Sequence, residues 1–321
     1  MSGIPATNEA AIRIAPSELA PTPKHPPPLG AHIARLLRRS AKAIEECEAG
    51  TRAGDDAEAL HDMRVASRRL RAALRLFAEI LPHRRAAKLS RRLRRLTRAL
   101  GMPREWDVLR ETLTHLRGRQ RGDVEKIAVE HALEYIDAHR SISRKRMLRA
   151  LDKIDLGRLT RGIRKLAAKV DAHAVDEPEK HLAWRALEPL IAAALAEIDI
   201  LRSSEDAKRL HETRISVKRL RYAVELLEPA MPIGHGDLLA RLKNLQELLG
   251  HHHDCAVLHE LLLRMLGGLE ERGRTILADG LREAIAHVRE DQATTYEQFC
   301  LATSGMSVAS LSAEIRATLR D

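Results

Sequence analysis

Aromatic side chains are scarce in this sequence, where Trp, Tyr and Phe together make up 2% of the 321 residues. This scarcity argues against a β-sandwich, whose strands favour aromatic and β-branched residues. It also argues against the aromatic platforms on which single-stranded nucleic acids stack. Much of the 44% hydrophobic content is Leu and Ala, the strongest helix formers. The composition therefore favours an all-α fold.

Cysteines and long apolar stretches are also few. The three cysteines, Cys47, Cys255 and Cys300, are odd in number and widely spaced, and no C-x-x-C pair indicates structural zinc. No run of about 18 apolar residues is present, and the N-terminus lacks the apolar segment of a signal peptide. We therefore expect a soluble, cytoplasmic protein without a membrane span.

Catalytic motifs are missing as well, since the sequence contains no P-loop, no H-E-x-x-H and no G-x-S-x-G. Asp and Glu do not cluster within the most basic segments, so metal-assisted cleavage of a phosphoanhydride lacks its usual carboxylate ligands. The one metal-like pattern is His251-His252-His253-Asp254 with His259 nearby. Adjacent histidines on a turn point in different directions, whereas zinc needs three or four convergent ligands. We expect no enzymatic activity, no metal and no cofactor.

Positive charge, by contrast, is abundant in this sequence, and most of the excess lies in one segment. The formal net charge is +10. Residues 60–98 contain 13 lysines and arginines against two acidic residues, a local net charge of +11, so the remainder of the chain is close to neutral. A patch of this kind indicates a polyanionic partner, which could be a nucleic acid, an anionic membrane or a phosphate polymer.

The centre of this patch is a predicted amphipathic helix that ends at Leu81, before Pro82, with Asp55 or Asp56 as its N-cap and Glu58 in its first turn. At about 100° per residue, its basic side chains fall within an arc of roughly 80°. These residues are His61, Arg64, Arg68, Arg71 and Arg75. Its opposite face is apolar, as expected of a helix that packs on a core.

A second segment repeats this design 150 residues later. Its basic stripe consists of His211, Arg214, Lys218 and Arg221, backed by apolar residues such as Leu220 and Val224. We call the two segments the first and second signature helices. A single basic amphipathic helix is often a solvated surface helix or a membrane-surface helix, and its occurrence twice with matched positions makes these interpretations less favourable.

Helical periodicity extends over almost the whole chain beyond the Pro-rich residues 1–28, which read as a disordered tail. Helices are predicted at about 31–49, 57–81, 83–100, 105–116, 123–150, 157–170, 181–200, 205–228 and 238–249, with ends at Gly101 and Gly250. The second half repeats the order of the first, so we predict an internal duplication with halves of about 29–170 and 178–321.

The motif His-x-x-Arg-x-x-x-(Arg/Lys)-Arg-Leu-Arg stands at His61–Arg71 and again at His211–Arg221. Together with the Leu-Gly pairs at 100–101 and 249–250 and the acidic residues that follow them, it closely resembles the CHAD family, the conserved histidine α-helical domain. The resemblance covers roughly residues 30–321. In the register of the family, the histidines after Gly250 are expected to form a loop, with Asp254 as the cap of the next helix. The resemblance implies two pseudo-symmetric helical bundles facing across a basic central cleft or pore that binds inorganic polyphosphate. Many members carry a triphosphate-tunnel domain, which residues 1–28 could not form, so a stand-alone member is expected.

The expected polyphosphate site combines the two stripes with basic residues of the adjoining helices. It comprises His61, Arg64, Arg68, Arg71, Arg75, Arg91, Arg94, Arg98, His211, Arg214, Lys218, Arg221 and Lys243. Arg69 and Arg219 lie about 80° from the stripe axis, where bonds to neighbouring helices are the alternative. A solvated face remains the alternative for the arginines at 91, 94 and 98, and packing near a helix N-terminus remains the alternative for both histidines.

The function expected from these residues is non-enzymatic binding of polyphosphate, with targeting to polyphosphate granules as one consequence. The alternatives are a nucleic-acid-binding helical protein and an accessory domain of a polyphosphate-metabolising enzyme. A duplex reader would aim Asn, Gln or Arg from a helix N-terminus into a groove. Here the basic residues run along the whole helix, so nucleic acid is the secondary candidate.

Overall fold

The computed structural model describes residues 28–54, 57–117, 122–171, 179–201, 207–227 and 235–320. Over these ranges it contains helices and no β-strand, which confirms the predicted all-α fold. The helices are α1 (Leu29–Ala53), α2 (Ala57–Leu76), α3 (His83–Arg117), α4 (Asp123–Asp152), α5 (Leu156–Asp171), α6 (Glu179–Leu201), α7 (Ala207–Leu227), α8 (His235–Glu271), α9 (Thr275–Thr303) and α10 (Val308–Arg320). Thus α2 and α7 are the two signature helices.

Several predicted boundaries lie outside the described ranges. These are most of the N-terminal tail, the cap at Asp55 or Asp56, and both ends of the helix predicted at 205–228. Glu58 does lie in the first turn of α2. This helix ends at Leu76, earlier than predicted, and turns lead from Phe77 to Pro82.

The first helix is longer than predicted: α1 runs through Gly50 and ends at Ala53, with Gly54 as its C-cap. Gly54 has a φ of 84° and donates its N–H to the carbonyl of Gly50 over 2.8 Å. The left-handed conformation favours glycine. The guanidinium of Arg144 from α4 also occupies this corner and donates to the carbonyl of Arg52 over 2.8 Å. A glycine here therefore both ends the helix and admits the arginine.

The predicted helix ends at Gly101 and Gly250 are wrong. α3 continues through Gly101 and Pro103, and α8 continues through Gly250 and the three histidines, so no loop is present there. A proline inside a helix costs about 3 kcal/mol and a glycine about 1 kcal/mol. Both helices offset this cost because they bury apolar residues on either side of the predicted break, such as Leu100 and Leu109 in α3.

These two long helices connect two hydrophobic cores. The larger core contains residues of all ten helices named above, with Leu70 of α2 and Leu220 of α7 among them. The smaller core lies between the C-terminal half of α3, α4, the C-terminal half of α8, and α9. Each core takes residues from both sequence halves, so the predicted division into one bundle per half is not reflected in the cores.

The order of helix contacts is nevertheless the same in both halves. In the first half α2 packs on α1 and α3, α3 on α4, and α1 on α5; in the second half α7 packs on α6 and α8, α8 on α9, and α6 on α10. Equivalent helices also meet across the halves, as α2 with α7, α3 with α8 and α4 with α9. The internal duplication itself stays a prediction.

α4 and α9 approach each other closely at Gly280. A Cβ atom at Gly280 would lie 2.3 Å from the carbonyl oxygen of Val124, so only glycine fits there.

Among the helices described, none is long and apolar enough to cross a membrane.

Candidate functional site

The two signature helices lie side by side. The guanidinium of Arg69 on α2 pairs with the carboxylate of Glu225 on α7 at 3.4 Å, so Arg69 bonds to a neighbouring helix. Leu70 and Leu220 lie on the apolar faces of the two helices, opposite the basic stripes, and their side chains are 0% and 1% exposed. Burial of these apolar faces orients the basic faces of α2 and α7 toward the space that they share with α3, α6 and α8.

Two cavities open along this shared space. The first has a volume of about 560 Å³ and is lined by α2, α6 and α7. Its lining residues are Arg68, Arg71, Ala72, Arg75, Leu76, Ala186, Pro189, Leu190, Ile215, Lys218, Arg219, Tyr222, Ala223 and Leu226. Five of these side chains are cationic and none is acidic. We call it the basic–apolar cavity.

The second cavity has a volume of about 520 Å³ and is lined by α2, α3, α7 and α8. Its lining residues are His61, Arg64, Val65, Arg68, Arg104, Val108, Arg110, Glu111, Thr112, Thr114, His115, Arg214, Lys218, Gln246, Glu247, Gly250, His251 and Asp254. Because it combines cations with carboxylates, we call it the mixed-charge cavity. Arg68 and Lys218 line both cavities, so the basic residues form one continuous tract between α2 and α7.

Like charges are crowded in the basic–apolar cavity. Burial lowers the pKa of Arg71, and the neighbouring charges of Arg75, Arg94 and Arg68 lower it further. The pKa of Arg75 is lowered by burial, then by Arg219 from the other signature helix and by Arg94. The charged forms of these guanidinium groups are therefore disfavoured, and a bound anion would relieve this repulsion.

The same situation holds at Arg64 in the mixed-charge cavity. Burial lowers its pKa to about 10, with further contributions from Arg68, Arg104 and Arg214. The side chain reaches α3, where a Cβ atom at Gly101 would lie 3.6 Å from its Nη1. Arg64 is protonated at neutral pH all the same, so it offers a fixed positive charge at the junction of α2, α3 and α7.

Carboxylates distinguish the mixed-charge cavity from the first. Glu111 accepts two hydrogen bonds from Arg104, at 2.8 and 3.2 Å, in a bidentate pair. Burial raises the pKa of Asp254 to about 6, although Arg214, Arg104 and Arg64 act in the opposite direction. The predicted role of Asp254 as a helix cap is wrong, because it lies in the interior of α8 and faces this cavity.

The histidines at the heads of the two stripes have different surroundings. His61 is half-buried and lines the mixed-charge cavity, and its Nε2 atom is enclosed without a hydrogen-bond partner in the described structure. His211 is exposed, and its ring centroid lies 5.4 Å from that of His253 on α8. Burial, followed by the charges of Arg214 and His211, lowers the pKa of His253 to about 4, so His253 is neutral at pH 7.

Most of the predicted stripe residues are thus brought together at the two cavities. Those that line one or both are His61, Arg64, Arg68, Arg71, Arg75, Arg214 and Lys218. For Arg219, a bond to a neighbouring helix was the alternative to a place in the stripe. In the structure Arg219 lines the basic–apolar cavity. His211, Arg221, Arg91, Arg94, Arg98 and Lys243 line neither.

The placement of Arg221 in the cleft is wrong. Arg221 is 7% exposed, donates through Nε to Oε1 of Gln246 over 2.8 Å, and pairs through Nη1 with Glu225 at 2.8 Å. Its equivalent in the first half, 150 residues earlier, is Arg71, which lines the cavity. The difference follows from position 225, because the equivalent of Glu225 is Arg75, which repels a guanidinium instead of holding it.

The basic residues of the third helix of each half also differ. Arg91, Arg94 and Arg98 on α3 are exposed, and Arg94 is near enough to Arg71 and Arg75 to depress the pKa of both. On α8, Arg241 pairs with Glu314 of α10, and Lys243 lies 3.8 Å from Glu247. Arg94 thus adds to the positive field of the tract, while the positive charges on α8 are partly neutralised.

Sequence reasoning missed several residues of the mixed-charge cavity, above all Arg104, Glu111 and Asp254. Arg104 and Asp254 lie beside predicted helix breaks, and Glu111 lies in a helix predicted to begin after one of them, so their common orientation could not be derived. It also expected no carboxylate beside the basic stripe, which is wrong at this cavity. Even so, no group of three or more His, Cys, Asp or Glu side chains within the described ranges is arranged to hold a metal ion.

Comparison with known proteins identifies similar sequences and structures. The family model of the CHAD domain matches residues 35–263. The crystal structure of the CHAD domain from the plant Ricinus communis is 24% identical, with 90% of this chain and 92% of that chain covered and a TM-score of 0.59. PptA from Streptomyces chartreusis is 20% identical, with 87% and 100% covered and a TM-score of 0.62. At these identities the two structures show a shared fold alone. Among curated protein sequences, none matches this chain.

Proposed function

This chain belongs to the CHAD-domain family, and we propose that it binds inorganic polyphosphate along the basic tract between α2 and α7. The CHAD domain is linked to polyphosphate binding in general. The proposal adds the place of binding, which is the pair of cavities that meet at Arg68 and Lys218.

One observation carries the proposal, namely that cations from both signature helices line a single tract. On α2 the tract extends from Arg64 to Arg75, which is about 16 Å along a helix. A polyphosphate chain carries roughly one negative charge per phosphate and presents no base, sugar or apolar group. A row of guanidinium groups suits this ligand, because each makes bidentate, charge-assisted bonds to phosphate oxygens.

The electrostatics of the tract support an anionic ligand. Burial and mutual repulsion lower the pKa of Arg64, Arg71 and Arg75. Crowding of like charges destabilises the unliganded fold. A polyanion that binds among these groups neutralises them and recovers that free energy. Binding is accompanied by release of counterions, so affinity falls steeply as the salt concentration rises.

We expect the protein to act on polyphosphate by binding and not by catalysis, with targeting to polyphosphate granules as a consequence. The carboxylate of Glu111 is occupied by Arg104, and burial raises the pKa of Asp254. Within the described residues these carboxylates belong to no group of three or more His, Cys, Asp or Glu side chains that could hold a catalytic metal ion. Purified protein should release no orthophosphate from polyphosphate with or without Mg²⁺ or Mn²⁺. Metal-dependent release that an Arg64→Glu variant loses would show that this expectation is wrong.

A competition titration tests the binding proposal against its main alternative. Fluorescently labelled polyphosphate is displaced by unlabelled polyphosphate or by duplex DNA at equal phosphate concentration and constant salt. We expect polyphosphate to compete more strongly, since the tract contains no base-reading arrangement. If duplex DNA displaces the label more effectively, the tract is a nucleic-acid interface instead.

A further inference from the structure

The basic–apolar cavity contains a wall that polyphosphate does not explain. Besides its cations, the cavity is lined by apolar side chains from three helices, including Leu76, Pro189, Leu190, Ile215 and Leu226, and α6 contributes no charged residue to the lining. Polyphosphate has no apolar group, so this wall would still face water when the polymer is bound. Apolar surface concentrated in a concave site is typical of ligands that carry an apolar part of their own.

The apolar wall continues past the end of the basic tract. A third cavity of about 170 Å³ shares Arg75, Leu76 and Ala186 with the basic–apolar cavity. Beyond them it is lined by apolar residues such as Leu182 and Phe77, and by Arg185 and Glu79, which form an ion pair at 3.2 Å. The two cavities therefore form one groove, which we call the amphipathic groove. The five cations of the basic–apolar cavity lie at one end, and apolar side chains with one neutralised ion pair lie at the other.

We propose that the amphipathic groove binds a single-chain anionic amphiphile, with a phosphate head group and an alkyl tail. The phosphate binds to Arg71, Arg75 and Arg219, where like charges are crowded and no acidic side chain lines the cavity. The tail extends along Leu76 toward Leu182. The head group shares Arg71 and Arg75 with the proposed polyphosphate tract. The proposal goes beyond polyphosphate binding because the tail uses the apolar part of the groove that the polymer leaves empty.

Size and charge favour this ligand over an acidic peptide. The basic–apolar cavity falls in the range of roughly 300–1,000 Å³ that is typical of small-molecule sites. The five cations of the basic–apolar cavity have no acidic residue beside them in its lining, whereas Arg185 at the other end is paired with Glu79. This arrangement matches a ligand with a single charged end. An amphipathic peptide would instead distribute its acidic and apolar side chains along its whole length.

The test is a chain-length series of alkyl phosphates, from butyl to dodecyl phosphate, titrated into the full-length protein below their micelle-forming concentrations. Each methylene group buried against the wall should raise the affinity about fourfold until the groove is full. Dodecanol, which lacks the head group, should bind more weakly than dodecyl phosphate. An affinity independent of chain length would overturn the proposal.

Variants locate the head and the tail within the groove. Leu182→Gln and Leu190→Gln should each reduce the gain per methylene, while Arg219→Gln should lower the affinity for every alkyl phosphate by a similar factor of about five to ten. Ile142→Gln is the matched control, since Ile142 is 47% exposed on α4 and lines none of the three cavities. Circular dichroism confirms that each variant is folded, and two tail variants are used so that one folding failure leaves the test intact.

Polyphosphate binding is measured in parallel so that the two proposals fail separately. Leu182 lies outside the tract, so Leu182→Gln should keep the affinity for polyphosphate and lose only the contribution of the tail. An acidic helical peptide that displaces labelled polyphosphate, together with a flat alkyl series, would assign the groove to a protein partner and overturn the amphiphile proposal. If the wild-type protein does not bind polyphosphate but its affinity for alkyl phosphates rises steeply with chain length, the proposed function alone is overturned.

Discussion

The two signature helices carry the same motif, yet their cations have different surroundings. On α2, the arginines at 64, 68, 71 and 75 form no ion pair with a carboxylate in the described part of the chain, and they face the cavities. On α7, Arg221 is buried with Glu225, and Arg209 lies 3.7 Å from Glu197 and 3.9 Å from Glu212. The motif determines which face of the helix is basic. Acceptors on the same helix and on its neighbours determine whether that charge is available to a ligand.

The largest expected effect concerns what the two helices share, which is their apolar face. Leu70 and Leu220 are equivalent positions and both are almost completely buried. Replacing either by Asp should cost about 4 kcal/mol or more of unfolding free energy, since it buries a charge without a partner. Thermal denaturation followed by circular dichroism measures this. A tolerated Leu220→Asp would show that the two apolar faces are not equivalent.

A second pair of variants tests how the two helices differ. Arg221→Gln should reduce the unfolding free energy by about 2 kcal/mol, because it removes a buried ion pair and its bond to Gln246, with little effect on polyphosphate affinity. The matched Arg71→Gln should keep the stability and lower the polyphosphate affinity about fivefold to tenfold. Denaturant titration and binding titration of both variants separate the roles. Equal effects at the two positions would remove the proposed difference.

The third helices extend the comparison to more exposed cations. Arg94→Glu should weaken polyphosphate binding about tenfold and reduce the slope of log K against log salt by about one unit. Lys243→Glu, its counterpart 149 residues later, should have a smaller effect, because Glu247 already lies 3.8 Å from its Nζ. Titrations at two salt concentrations check this. Equal losses would mean that Arg94 does not act on the tract.

The smallest expected effect is at Asp254, the carboxylate of the mixed-charge cavity. The pKa of Asp254 is raised from 3.8 to about 6, so the folded state binds this proton more tightly than the unfolded state does. The protonated carboxyl therefore stabilises the fold at low pH, and this stabilisation is lost as the pH rises from about 4 to about 6. Asp254→Asn should remove this loss and raise the unfolding free energy at pH 7 by about 1 kcal/mol, since a half-buried carboxylate keeps part of its solvation.

The same variant should also tighten polyphosphate binding at pH 7 about threefold, because one negative charge leaves the cavity. Below pH 4, where Asp254 is protonated, variant and wild type should behave alike. An Asp254→Asn variant that binds polyphosphate more weakly at pH 7 would show that the carboxylate supports the site through its arginine neighbours.

The sequence predicts the helices and the cations of α2 well, and the reason is periodicity. Arg64, Arg68, Arg71 and Arg75 share one face because their spacing follows the helical repeat, and burial of Leu70 orients that face. Local patterns do not reveal which helices are continuous. Gly101, Pro103 and Gly250 are typical breaking residues, and only the cores on both sides explain why α3 and α8 run through them.

The second signature helix shows the other limit of sequence reasoning. Glu225 stands four residues after Arg221, which is the spacing of a helical ion pair, so part of the signal was present in the sequence. The acceptor at Gln246, however, comes from α8 and depends on how α7 and α8 pack. The same holds for Asp254, whose environment is produced by arginines from three different helices.

The central claim is that polyphosphate binds along the tract shared by α2 and α7. The most direct test is the titration of polyphosphate into wild type, Arg68→Glu, Lys218→Glu and the double variant at two salt concentrations, with circular dichroism as the control for folding. We expect each single reversal to weaken polyphosphate binding at least tenfold. The double variant should bind polyphosphate no more tightly than a generally basic protein surface does, and the slope of log K against log salt should fall by about two units. Wild-type affinity in the folded double variant would contradict the account.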